Sequence, residues 1–333
     1  MNRSVSGDRA LLTGILGAAL ISTSAVLVKL ADLPATTTAA LRTGYAVPVL
    51  ALLAVIAWRR RPLPRDPRQR AWCLVAGVLF AGATLMQNLA VALIGAGIAT
   101  VICNLQVLVV AVGAWWCFAE RPPRRLLLAL PPALLGVVMV SGMLGGQATG
   151  TDPSLGVLAG LANSLCYGAF LMVMRHAQRF GAAQPVAALR DVTAVAFAVS
   201  LLTVLAAGDG GMAPSWPAHG WMLLLALGPQ VFGWLLITTN LPRLPLAVSG
   251  LLLLLQPMLT MGLAMVLLGE NPSIVQLIGC VLLMTAVGFG AGTIVLPRPK
   301  GRQWLKSPST SPRTRRFATT SSPGSPGSRR PPN

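Results

Sequence analysis

A small set of side chains could do chemistry here, and each stands inside a run of apolar residues. Asn163 and Tyr167 are four apart, so on a helix they share a face. Thr84 and Asn88 repeat that spacing with Gln87 beside them, and Trp234 and Thr238 repeat it again. Asn104, Gln106 and Gln256 stand in the middle of similar runs. Amides, a phenol and an indole offer hydrogen bonds and a stacking face, which is the chemistry of recognising a solute. The competing reading is that Asn and Gln merely bond across helices, at about 0.6 kcal/mol each on average. Because several lie at similar depth, the set Asn88, Asn104, Gln106, Asn163, Tyr167, Trp234 and Gln256 is read as lining a substrate cavity.

Four charged residues are read as gating or structural groups: Arg42, Arg190, Glu120 and Glu270. Arg42 lies about 12 Å along its helix from Pro34, at 1.5 Å per residue. A basic group there costs about 2.5–3.5 kcal/mol on insertion scales, so it faces protein or water. Structural pairing and contact with an anionic substrate both satisfy that requirement. Arg190 has Asp191 as its neighbour.

Bond-breaking chemistry has little to work with. The chain holds 2 histidines, His176 and His219, both near connections, with no HExxH, paired-Asp or GxSxG pattern. The 5 cysteines all fall within apolar runs and form no CxxC, so they read as buried thiols. No enzyme activity, metal or cofactor is expected. Of the 8 acids, only Asp191 enters an apolar run. Proton-driven carriers usually hold a carboxylate within the membrane. Facilitated efflux or exchange therefore fits better than proton coupling.

The elements that must position these groups are membrane helices. Of 333 residues, 54% are hydrophobic and 10% charged, against about 25% charged in a typical globular domain. A soluble fold could not build its charged shell. The net charge of +18 would suggest a nucleic-acid binder if it were clustered on a folded face. It lies instead in short stretches between apolar runs, so membrane lipids and a small-molecule substrate are the expected partners and nucleic acid is not. The choice between monomer and homodimer stays open. A helix crosses the hydrocarbon with about 20 apolar residues. Ten such runs fall near 10–30, 36–58, 71–92, 96–118, 125–145, 154–175, 186–206, 219–239, 246–268 and 273–295. The first follows Arg3 and Arg9 but is longer than a signal-peptide core and carries Lys29, so it reads as a retained helix. Nearly all the 26 basic residues fall on alternate connections and the tail, while Asp32, Asp152, Asp209 and Glu270 fall on the others. Both termini are thus expected in the cytoplasm, and the protein in a bacterial plasma membrane.

The chain also repeats itself. Ala39-Ala40-Leu41-Arg42 opens the second run, and Ala187-Ala188-Leu189-Arg190 the seventh. Leu105-Gln106 precedes Glu120 as Leu255-Gln256 precedes Glu270, with a Gln-to-Glu spacing of 14 in both and an offset of 150. Five spans per copy is an odd number, so the second copy must lie upside down relative to the first. Inverted repeats with a midplane site between them are a common transporter architecture.

The pattern resembles the EamA-like branch of the drug/metabolite transporter superfamily. An Arg lies early in the second helix of each repeat. Ala119-Glu120-Arg121-Pro122 and Gly269-Glu270-Asn271-Pro272 end the fourth helices. Pro257 matches the family's proline in a fourth helix, whereas Val107 stands at that place in the first copy. The resemblance implies an all-α integral membrane fold of ten transmembrane helices in two inverted five-helix repeats. It divides the chain into an N-terminus at 1–9, repeats at 10–146 and 147–296, and a basic tail at 297–333. It implies an exporter or exchanger of amino acids, other small metabolites or drugs. A lipid-handling or membrane-assembly protein using the same fold is the alternative. The Pro- and Ser-rich tail carries no acid and cannot bury a core.

Overall fold

A backbone crossing hydrocarbon must satisfy its own hydrogen bonds, and this chain does so with helices alone. The computed structural model describes residues 2–60, 66–118, 124–140, 151–177, 180, 185–208, 213–236 and 246–290, with no strand among them. The described residues fall within one compact unit.

The first repeat contains α1 (Asn2–Ser22), α2 (Ser24–Ala31), α3 (Ala35–Arg60) and α4 (Pro67–Ile94), followed by α5 (Ala96–Cys103), α6 (Gln106–Phe118) and α7 (Arg124–Val140). The second contains α8 (Pro153–Ala177), α9 (Pro185–Ala207), α10 (Ala218–Leu225), a π-helical stretch at Ala226–Gly233, α11 (Leu246–Leu267) and α12 (Ile274–Gly290). Among the described residues ten apolar segments result, six of them 19 to 28 residues long. Each falls on one of the ten runs read from the sequence. This is a multi-pass membrane protein of two inverted five-helix repeats.

Among the described residues, three spans depart from an unbroken α-helix. The first is interrupted at Thr23, between α1 and α2, and the fourth at Asn104 and Leu105, between α5 and α6. The eighth widens into the π-helical stretch, which contains Pro229. Pro48, Pro131 with Pro132, and Pro257 are accommodated within α3, α7 and α11. The interruption at Thr23 needs no proline. There the Ser22 and Thr23 hydroxyls turn back onto Ala19 O and Leu20 O at 2.7 Å each, competing with the helix for its own carbonyls.

The halves interlock. α3 packs on α9 and α7 on α12, pairing the second and fifth spans of each repeat with their counterparts. α4 packs on α8, while α1 packs on the π-helical stretch and α2 on α10, so each repeat's first span lies against the other's third. Small residues permit the close approaches. A Cβ on Gly136 would lie 2.9 Å from Leu283 Cβ, and one on Gly279 would lie 2.7 Å from Met139 Cβ. Gly156 and Gly160 of α8 likewise seat Ile94 and Ile102, so this GxxxG is a packing device. Buried Ala39, Ala40, Ala46, Ala83 and Ala90 line the interior, and Leu128, Leu158, Leu205 and Val266 project outward as a lipid-facing surface would require.

Candidate functional site

The interruptions converge on one cavity of about 80 Å³. That is room for several waters, at about 10–15 Å³ each, or for part of a small organic solute. Ser22 and Ser24 flank the first break, and Cys103, Asn104 and Gln106 flank the second; all five line the cavity. Side chains satisfy the carbonyls that the breaks release. Thr260 Oγ1 donates to Ser22 O at 2.8 Å, and Ser164 Oγ lies 3.1 Å from both Ile102 O and Cys103 O. Irregular backbone at membrane depth is tolerated where it is buried in protein or lines a cavity, and both conditions hold here.

Of the seven amides and aromatics singled out in the sequence, six line this cavity: Asn104, Gln106, Asn163, Tyr167, Trp234 and Gln256. Asn163 Nδ2 donates to Ala83 O at 2.7 Å, tying α8 to α4. Asn104 Nδ2 donates to Thr100 O at 3.0 Å within its own turn. Tyr167 and Trp234, 6.2 Å apart at their centroids, join Phe80 and Phe170 in an aromatic wall. Asn88 is elsewhere. Although on the Thr84 face of α4, it is buried and reaches Ala35 O at 3.3 Å, fastening α4 to the start of α3. Thr84 and Gln87 do line the cavity, whereas Thr238 and Glu120 fall outside the described residues.

The charged residues separate sharply. Arg42 is buried and lines the cavity beside Tyr167. Its Nε donates to Gln230 Oε1 at 2.9 Å, while its Nη1 and the Gln230 Nε2 are buried without a partner. Leaving a buried donor unmade costs about 1–3 kcal/mol. Arg190 has no part in the cavity. Its Nε donates to Asp191 Oδ1 at 2.9 Å, a neighbour-to-neighbour ion pair that neutralises both.

Glu270 lies away from the cavity and caps a helix of the other repeat. Its carboxylate accepts from Ala96 N at 2.6 Å and Gly97 N at 3.1 Å, the first free amides of α5. Gly95 opens this turn at φ +87°, and a Cβ there would lie 2.7 Å from Glu270 Oε1. On the same side Lys29 Nζ reaches Ala92 O at 3.3 Å.

Sequence reasoning passed over Gln230, Thr100, Thr260 and the Ser22–Ser24 pair. The signal for the pair was present: three hydroxyl residues in a row, Ser22-Thr23-Ser24, inside an apolar run.

Comparison with known proteins agrees with this architecture. No curated protein matches the chain. A solved crystal structure, 21% identical, aligns over 85% of this chain and 96% of its own with a TM-score of 0.55, which is a likeness of fold. The profile of the EamA-like transporter family matches residues 8–142 and 154–289, one stretch for each repeat. This membrane transporter of small molecules belongs to the EamA-like transporter family.

Proposed function

We propose that this protein is an exporter or exchanger of small polar metabolites that works by alternating access around the cavity between its halves. One observation carries the reading: the breaks in the first and fourth spans and residues of both repeats, among them Gln106 and Gln256, meet at a single cavity. Solute sites of secondary transporters lie between inverted repeats, where discontinuous helices offer backbone and side-chain groups. Glu270 acts as a latch on one face. Its two hydrogen bonds tie the end of the fourth span of one repeat to the start of the fourth span of the other. Those bonds must break for that face to open. The distribution of basic residues supports an outside position for this face and cytoplasmic termini, in a protein of the plasma membrane on this reading. No catalytic step and no cofactor enters the cycle.

Counterflow into proteoliposomes preloaded with a metabolite mixture tests the reading. Protein-dependent exchange of at least one soluble metabolite is expected. Tyr167→Ala and Trp234→Ala should each lower it about tenfold at equal amounts of inserted protein, since each removes contact area without stranding a charge. Transport at the wild-type rate by both variants would remove the cavity assignment. Absence of all solute exchange, with lipid transferred instead, would remove the carrier reading.

A further inference from the structure

We infer that the occupant of this cavity is a small organic monoanion, a carboxylate or sulfonate with an uncharged remainder, whose anionic group sits on Arg42. The inference rests on the solute-carrier reading of the same cavity and specifies its substrate class.

Charge balance carries the argument. Among the described residues, the cavity lining includes one cation, Arg42, and no Asp or Glu. Arg42 finds a neutral amide oxygen in Gln230 and leaves Nη1 without an acceptor. The internal repeat supplies a control. At the equivalent position, Arg190 is neutralised by the next residue, Asp191. In the first repeat that next residue is Thr43, whose hydroxyl is turned away onto Ala39 O at 2.7 Å. One repeat thus carries its own counter-ion, and the other leaves a guanidinium fork uncompensated beside a cavity. A planar fork with open donors matches the two oxygens of a carboxylate or the three of a sulfonate.

The rest of the lining narrows the class. Gln87, Asn104, Gln106 and Gln256 are neutral, and Tyr167 and Trp234 offer ring faces. Among the described lining residues no carboxylate is present to hold an ammonium, and Arg42 repels one. A single anionic charge neutralises the site, and a second one has no cationic partner among the described lining residues. A zwitterion's ammonium meets only amide oxygens and aromatic faces, with no carboxylate among those residues to offset its repulsion by Arg42.

The test uses the full-length protein in phosphatidylcholine vesicles, which carry no net anionic lipid. Lactate, benzoate and methanesulfonate serve as monoanion probes, with their uncharged amides and zwitterionic alanine as controls. Binding is read by ligand-dependent thermal stabilisation and transport by radiolabel flux. At least one monoanion should bind about tenfold or more tightly than its own amide and than alanine. Arg42→Gln should abolish that preference, because it removes the charge and keeps a polar side chain. Gln230→Glu should do the same with the guanidinium in place, by giving Arg42 an internal counter-ion. It keeps an acceptor for Arg42, whereas Arg42→Gln loses the guanidinium donor of that bond, so it remains informative if Arg42→Gln does not fold. Three results would each overturn the inference: a preference for amide or alanine, wild-type anion selectivity in both variants, or stabilisation only by added phosphatidylglycerol. Flux of amides or alanine without anion preference leaves the carrier reading standing and removes this inference. Arg42-dependent anion binding with no flux of any solute does the reverse.

Discussion

At the scale of single residues, what a polar group does in this protein depends on what lies opposite it, and sequence spacing alone does not say. Asn88 and Asn163 look alike in the sequence, yet one ties α4 to α3 away from the cavity and the other lines it. Composition shows that each is expensive in hydrocarbon; only the crossing of helices shows who meets it. Arg42 was legible as unusual for the same reason, but its partner Gln230 lies 188 residues away and no local pattern links them. One residue outside the spans gives a prediction with a definite sign. Asp152 stands before α8, and its carboxylate accepts from Leu155 N at 3.0 Å and from the Ser154 hydroxyl at 2.7 Å. The bond from the Leu155 amide first, then that from Ser154, holds its ionisation below the ordinary carboxylate range. A depressed folded-state value stabilises the fold above the unfolded value of about 3.9, and that stability is lost as pH falls through the folded value. Thermal melts of wild type and Asp152→Ala should differ at neutral pH and converge on acidification. A gap that widens at low pH would contradict the capping role.

Among the elements, the ten spans were readable because hydrocarbon demands about 20 apolar residues per crossing, a constraint that overrides finer detail. Their interruptions were not. Prolines lie within α3, α7 and α11, which absorb them, and within the π-helical stretch, while the first and fourth spans break at Thr23 and Asn104 with no proline at either place. A helix break in a membrane is decided by whether another helix can serve the freed carbonyls. Thr260 and Ser164 do so from distant parts of the chain. The turn into α5 is the most exacting local geometry. Gly95→Ala meets two penalties, a positive-φ backbone worth about 1–3 kcal/mol and a collision with Glu270. Gly208, at φ +68° with nothing within 4 Å of a Cβ, meets the first alone. Gly95→Ala should therefore lower the melting temperature more than Gly208→Ala, and adding Glu270→Ala should recover little, because the α5 amides then lose their acceptor. Equal shifts for the two single variants would show that the Glu270 contact yields freely.

Across the whole molecule, the repeat was legible from an offset of 150 residues and its inversion from the parity of five spans. Orientation is the remaining molecular prediction. Reporter fusions at Gly146 and Pro297 should report outside and inside respectively; the same side for both would break the ten-span topology. The interlocking of the halves has a consequence for how the protein is made. Spans are handed to the bilayer in order as synthesis proceeds, but α1 needs the π-helical stretch, α3 needs α9, and α7 needs α12. When the first five spans have left the ribosome, nearly all their intended neighbours do not yet exist, and Arg42 waits for Gln230 in the eighth. The first half is therefore an unpaired guest in the membrane for most of translation, and its polar faces are guarded by lipid, water or a chaperone until the second half closes around them.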